Sequence, residues 1–326
     1  MQGAGSKQYF VSFSMRTLLF FVLFAVKQDY RKFGLYFFCM QKKTELITNK
    51  DGSIFHLNLL PGDISDKIII VGDPGRVDML GNLLHDIRVR KENREFKTVT
   101  GTFEESEITI ISSGIGTDNI DILINELDAL ANIDLSTGIC KEDPLTLTFI
   151  RLGTSGGLRA DVPAASAVLA ETAIGFDGLL YFYEGYDWIL DTNLADALVE
   201  YLEWPDTLSY PYAVNADKDL IEIFSGENFK RGITISAPGF YAPQGRRLRL
   251  ETFDNEINTK LSEFSYRGRT ISNYEMECSA IYGLSALLGH KALTICLVIG
   301  NRVTGEFVQD YKPLIMDLGL RVLKLI

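Results

Sequence analysis

A chain of 326 residues that is 46% hydrophobic and 23% charged, with 28 Gly and 9 Pro, has the make-up of a globular protein with a large core, not of a disordered, collagen-like or coiled-coil chain. Its net charge of −11 argues against a broad basic face for nucleic acid or anionic lipid, so any bound anion must be held locally. The four cysteines, Cys39, Cys140, Cys278 and Cys296, form no C-x-x-C pair, which points to reduced thiols in a cytoplasm rather than to a zinc site or a disulfide framework.

Residues 1–43 do not match the rest of the chain. They carry seven Lys/Arg against one acid, Asp29, ahead of a strongly acidic remainder. The apolar run Leu18–Val26 is too short to span a bilayer, and no small-x-small cleavage site comes after it. The segment reads as an extension outside the domain: the product of an upstream start codon with Met40 as the true start, a membrane-tethering leader, or an ordered extra element. Residues 44–326 read as one α/β domain, since no linker, low-complexity tract or repeat marks a seam.

Lys67–Val71 is a short apolar run closed by Gly72-Asp73-Pro74-Gly75, the pattern of a buried strand whose turn opens a helix at Pro74. Thr98–Phe103 and Glu107–Ser112 alternate as a hairpin does, Asp118–Ala131 is amphipathic, and Thr146–Leu152 reads as a strand running into a glycine loop over 153–157. Strand-like runs at Ala167–Thr172, Gly232–Ser236 and Ala292–Ile299 alternate with helical stretches near Asp191–Leu202, Cys278–Leu288 and Tyr311–Leu325. This alternation predicts a mostly buried sheet with helices on both faces and ligands at the strand ends.

Four segments carry candidate chemistry. In Gly72-Asp73-Pro74-Gly75-Arg76, glycines let the backbone approach a ligand and an arginine stands at a helix start, which suits phosphate; a turn with a solvated arginine fits as well. In Arg151-Leu152-Gly153-Thr154-Ser155-Gly156-Gly157, a charge inside an apolar strand must meet an anion or pair with a core carboxylate. In Tyr274-Glu275-Met276-Glu277-Cys278-Ser279, two acids precede an apolar helix, either as caps or with one aimed at sugar hydroxyls. In Gly239-Phe240-Tyr241-Ala242-Pro243-Gln244-Gly245-Arg246, an amide and a guanidinium can read a flat heterocycle on which Phe240 stacks, although a plain polar loop explains the run equally well.

Taken in this order, the segments resemble the uridine-phosphorylase branch of the nucleoside phosphorylase family. The match also takes in Phe55-His56-Leu57, Asn93-Arg94-Glu95-Phe96, Ser113-Gly114-Ile115-Gly116 and Asn301-Arg302, and it leaves residues 1–43 outside. The resemblance implies a three-layer αβα fold around a central mixed, partly barrel-like sheet. It assigns Gly72, Arg76, Arg151 and Thr154 to phosphate, joined by Arg94 from a neighbouring subunit. Met276 and Glu277 would face the ribose, with His56 of the neighbour near the 5′-hydroxyl; Phe240, Gln244 and Arg246 would hold the base above Ser155 and Gly156.

The reaction so implied is phosphorolysis, a pentosyl transfer in which phosphate attacks C1′ and the base leaves, with Arg151, Glu277 and Arg246 as the catalytic groups and no side-chain nucleophile. Inorganic phosphate is then a co-substrate and no organic cofactor is needed. The family further implies a K⁺ near Glu95, Ile115 and Asn119, a dimer as the minimal active unit within a homohexamer, small-molecule partners only, no nucleic acid or membrane, and a cytoplasmic place in pyrimidine salvage.

Purine-cleaving relatives typically carry an aspartate late in the strand that here ends Ile299-Gly300-Asn301-Arg302, so uridine is the first expectation for the substrate. The chain departs from the uridine pattern at Gly75, Gly245 and Gly300, which bears on fine specificity. The alternatives are a purine nucleoside phosphorylase, a water-using nucleosidase and a catalytically silent nucleoside-binding protein. Three arginines speak for phosphate against water, because a cationic pocket without its anion is costly to keep dry.

Overall fold

Strand β1 (Lys67–Val71) is buried from Ile68 onward, with Ile68, Ile69, Ile70 and Val71 each at 0% exposure. A strand buried on both faces belongs in the middle of a parallel sheet, where each such side chain contributes about 1.5–3 kcal/mol of burial. The computed structural model describes residues 44–326 and puts β1 there, between β4 (Ser106–Ser112) and β7 (Thr148–Gly157), parallel to both. The reading of residues 1–43 lies outside the described residues.

The main sheet has eleven strands. From β4 it extends through β3 (Phe96–Phe103) to β2 (His85–Asn93), both antiparallel to their neighbours. On the other side β7 pairs in parallel with β13 (Lys291–Asn301), which runs antiparallel to β8 (Ala167–Gly175). Beyond β8 come β10 (Lys230–Ser236) and β12 (Arg269–Glu275), parallel to it, with β9 (Tyr212–Asn215) branching from β8 and β11 (Ser265–Tyr266) closing the edge. Strands β5 (Ile133–Asp134) and β6 (Ile139–Cys140) form a separate small hairpin.

Strand β12 then turns back onto β7, pairing Asn273 with Gly157 and Tyr274 with Gly156. Strands β7, β13, β8, β10 and β12 thereby close into a barrel within a mixed sheet, as the family resemblance implies. Two sets of parallel strands of opposite direction meet at their carboxyl ends, and this convergence makes the cleft.

The seven helices among the described residues are α1 (Pro74–Gly81), α2 (Thr117–Asn132), α3 (Thr192–Leu202), α4 (Lys218–Ile223), α5 (Ile257–Glu263), α6 (Cys278–Leu288) and α7 (Lys312–Leu323). Helix α1 packs on β3 and β4, while α6 packs on β8, β13 and α2. No described helix is long and apolar enough to cross a membrane.

The boundary that differs most from the sequence reading is the end of β7. Residues 153–157, expected as a loop, are the second half of β7, hydrogen-bonded to β13 on one side and β12 on the other. The glycines serve close packing rather than a turn: a Cβ on Gly153 would strike the Arg151 guanidinium and come 2.7 Å from Cys296 Sγ. Gly153→Ala is therefore expected to lower stability by about 1–3 kcal/mol through overpacking, measurable as a fall in the denaturation midpoint with an unchanged slope.

Candidate active site

A cavity of about 890 Å³ opens where the strand ends converge. Strand β1 delivers Gly72 and the start of α1 to the cavity wall. Asp73 caps that helix by accepting from Gly75 N at 2.8 Å, Pro74 occupies its first turn, and Arg76 is thereby turned toward the cleft. Arg76 has only a long contact, Nη1 to Leu152 O at 3.5 Å, and its Nε is buried without a partner. Burial first, and Arg151 beside it second, hold its guanidinium below the usual arginine range. A half-buried cation next to another cation, with a donor unused, is a place for an anion.

Arg151 sits mid-strand on β7 and is buried. Its Nη1 lies 3.0 Å from Glu275 Oε2 and 3.3 Å from Cys296 Sγ, its Nη2 donates to Glu277 Oε2, and its Nε has no partner. Burial opposes its charge, but Glu277 and Glu275 outweigh that and hold the guanidinium above its ordinary value. The pairing with core carboxylates and the exposure to the cavity both hold for this residue. Thr154 and Ser155 follow it along the wall, and Ser155 Oγ is buried without a partner.

The two acids before α6 divide the work. Glu275 accepts from the backbone N–H groups of Glu277 at 2.8 Å and of Cys278 at 2.9 Å, and from Ser236 Oγ, so it caps the helix. Burial, its largest influence, pushes its carboxyl up while Arg151 pulls it down; the net shift is upward. Glu277 caps nothing with its side chain: Oε1 accepts from Gly116 N at 2.7 Å and Oε2 from Arg151. With Met276 it lines the cavity.

A 3₁₀ turn, Ala242–Gln244, and Gly245 carry Gln244 and Arg246 to the cavity wall. Gly245 has φ +65°, and a Cβ there would lie 2.6 Å from Asn258 Nδ2, so this departure from the family pattern is a backbone requirement. Arg246 lies over the Phe240 ring, Cζ 3.6 Å from its centre, and donates to Gln244 Oε1 at 2.6 Å. Arg302 Nη2 approaches the same oxygen at 3.5 Å. With its oxygen facing two cations, Gln244 keeps its amide N–H groups as donors for a ligand acceptor. Neither arginine pairs with a carboxylate among the described residues. Burial and Arg302 push the Arg246 guanidinium down to about 10.

Comparison with known proteins matches residues 66–317 to the phosphorylase superfamily. The chain belongs to that superfamily. Among similar proteins, a uridine phosphorylase of Treponema pallidum is 34% identical over 76% of this chain and 82% of its own. A uridine phosphorylase of Thermococcus kodakarensis is 28% identical over 79% of this chain and 81% of its own. A guanosine phosphorylase of Halorubrum lacusprofundi is 29% identical over 77% of this chain and 85% of its own. The structure of a Trypanosoma brucei nucleoside phosphorylase described as showing uridine phosphorylase activity superposes with a TM-score of 0.77 at 28% identity, covering 85% of this chain and 98% of that one.

For a member of the phosphorylase superfamily, the cavity gathers most of the residues singled out from sequence: Gly72, Arg76, Arg151, Thr154, Ser155, Gly156, Phe240, Gln244, Arg246, Met276 and Glu277. It does not gather His56 or Arg94. The β2–β3 hairpin turns through Arg94, at φ +55°, and Glu95; Glu95 lines the cavity, whereas Arg94 is exposed with its guanidinium 5.9 Å from the Phe55 ring. Asn93 Nδ2 donates to His56 O at 2.8 Å, so His56 and Arg94 belong to one patch apart from this chain's own cavity lining.

Arg302 had no role assigned from sequence, although the Asn301-Arg302 pair at the end of a late strand was the available signal. Asn301 itself is fully engaged, Nδ2 donating to the carbonyls of Arg159 and Val162 at 2.8 Å and Oδ1 accepting from Val303 N and Thr304 N. Glu95, Ile115 and Asn119 all line the cavity, and Asn119 Nδ2 already donates to Ile115 O at 3.2 Å. One chain thus supplies fewer free oxygens here than a hard cation takes.

Proposed function

We propose that the chain is a uridine phosphorylase, catalysing the reversible phosphorolysis of uridine to uracil and α-D-ribose 1-phosphate. The observation that carries this reading is the set of groups that line one cavity: cations with unused donors, a hydrogen-bonded carboxylate, and an amide whose oxygen faces two guanidinium groups that pair with no carboxylate among the described residues.

Phosphate lies against Gly72, Arg76, Arg151 and Thr154 and attacks C1′ from the face opposite the base, so the β-nucleoside yields the α-phosphate. Glu277 holds the 2′- and 3′-hydroxyls beside Met276; its two existing bonds leave carboxylate lone pairs free for them. As the glycosidic bond breaks, its electron pair moves onto uracil and spreads over O2 and O4, where Arg246, Arg302 and the Gln244 amide meet it. Phe240 stacks on the base and Ser155 and Gly156 lie beneath it. Free phosphate is the only co-reactant.

The exposed position of Arg94, beside His56 and apart from the cavity lining, supports a site completed in trans, with a dimer as the active unit of a homohexamer. A K⁺ near Glu95, Ile115 and Asn119 would then draw oxygens from two copies. Asn301, whose side chain is consumed by backbone contacts, supports a pyrimidine over a purine, because no acid stands there to protonate a purine nitrogen.

The test is to incubate the protein with uridine, inosine or guanosine, with and without phosphate, and to follow free base and ribose 1-phosphate by chromatography. Uracil and ribose 1-phosphate formed only with phosphate are the expected products. Release of hypoxanthine or guanine instead moves the base assignment to purines, release without phosphate makes the protein a hydrolase, and no release from any of the three makes it a binding protein.

A further inference from the structure

His56 is gripped more firmly than a half-exposed histidine requires. Glu126, on α2, accepts from the backbone N–H of His56 at 3.2 Å with Oε2 and at 3.3 Å with Oε1, from Leu57 N at 3.0 Å, and lies 2.5 Å from His56 Nδ1 through Oε1. From the other side Asn93 donates to the His56 carbonyl at 2.8 Å, and the Phe55 ring meets the imidazole edge-on at 4.9 Å. Both carboxylate oxygens already accept N–H groups, so the hydrogen in the short Nδ1 contact belongs to the ring. No described residue hydrogen-bonds Nε2, and the side chain keeps 28% of its surface exposed.

We propose that Glu126 is a positioning residue for catalysis: it fixes His56 as the Nδ1–H tautomer, which leaves the Nε2 lone pair pointed outward to accept the 5′-hydroxyl of a nucleoside bound by a second copy. The inference rests on the functional reading above, and it adds the group that sets the orientation and tautomer of the ring. In metal sites a carboxylate on the other nitrogen of a ligand histidine fixes its tautomer and orientation, and its loss costs about 10–100-fold in affinity or activity; an effect at the lower end of that range is expected for the same pairing here. The competing explanation is a structural staple that merely fastens the turn around His56 to α2.

Two substrates separate these. For the parent, Glu126→Gln, His56→Ala and the double variant, kcat/KM is measured with the nucleoside that the parent cleaves and with its 5′-deoxy counterpart. Glu126→Gln is expected to lower kcat/KM about tenfold on the hydroxylated substrate and to leave the 5′-deoxy substrate within twofold of the parent. His56→Ala should show the same selectivity with a larger loss, and adding Glu126→Gln to it should change nothing further. Equal losses on both substrates from Glu126→Gln, with His56→Ala still selective, would make Glu126 a staple and overturn the inference alone.

A His56→Ala variant that does not discriminate removes His56 from the ribose site and the inference with it. A parent that cleaves no nucleoside overturns the functional reading as well. Glu126→Asp, which keeps the charge on a shorter arm, is read with the same substrate pair where the glutamine variant does not fold.

Discussion

Arg151→Met should lose about 3–5 kcal/mol of stability, a fall of roughly 10 °C in melting temperature for a domain of this size, and at least about 100-fold in kcat/KM. The guanidinium is the counter-charge for two buried acids, Glu275 at 3.0 Å and Glu277 closer still. Removing it leaves both carboxylates facing each other away from water, and the cost of that uncompensated charge far exceeds the net worth of the pair.

The pH dependence comes from Glu275, whose carboxyl is already raised above the ordinary glutamate value by burial, and which in the variant loses the downward pull of Arg151. A raised acid takes up its proton in the folded state at a pH where the unfolded chain is ionised. Its contribution to stability is therefore present below the ordinary glutamate value and is lost as pH rises through the raised folded value. Urea denaturation at pH 5 and pH 8 checks this: the variant should be closer to the parent at pH 5. A variant within 1 kcal/mol of the parent at both values would show that Arg151 does not neutralise the pair.

Arg246→Ala should lower kcat/KM for uridine by about 10²–10³ while leaving KM for phosphate within twofold. Its guanidinium stacks on Phe240, shares Gln244 Oε1 with Arg302 and has no carboxylate partner among the described residues. In the proposed reaction these two cations meet charge that develops only as the base departs, so the loss is expected on the chemical step. Steady-state kinetics with each substrate varied in turn measure both constants. Equal, small effects on the two would remove Arg246 from the base site. Arg246→Lys should recover part of the rate, since it keeps the charge but loses the planar fork.

Much of the frame was legible in the chain because local physics fixes it. The apolar run at Lys67–Val71 ending in Gly-Asp-Pro-Gly predicts a buried strand, a cap and a helix start, and Asp73 and Pro74 fill those positions. Helix α6 spans Cys278–Leu288 as read, because its apolar residues and the glycine after them define both ends. Four distant segments stand out by residue type, the family resemblance picks the site residues within them, and one cavity draws on all four.

Other features depend on partners that lie far away in sequence. Whether residues 153–157 are a loop or a strand is decided by β12 and β13 closing on both edges, which glycines permit and no local pattern reports. Glu275 and Glu277 look alike two residues apart. Both line the cavity and meet Arg151, and only the placement of Ser236 and Gly116 makes the first a cap on its own helix and ties the second to the start of α2.

Arg302 is marked in sequence only by its place after Asn301 at the end of a late strand, and Glu126 by nothing nearby, since they meet Gln244 and His56 across 58 and 70 residues of chain. Periodicity, caps and turn residues act within a few positions and determined the elements of this protein. Charge pairing, tautomer choice and the shared wall of the site require groups to be brought within hydrogen-bond reach, and only the closed barrel does that.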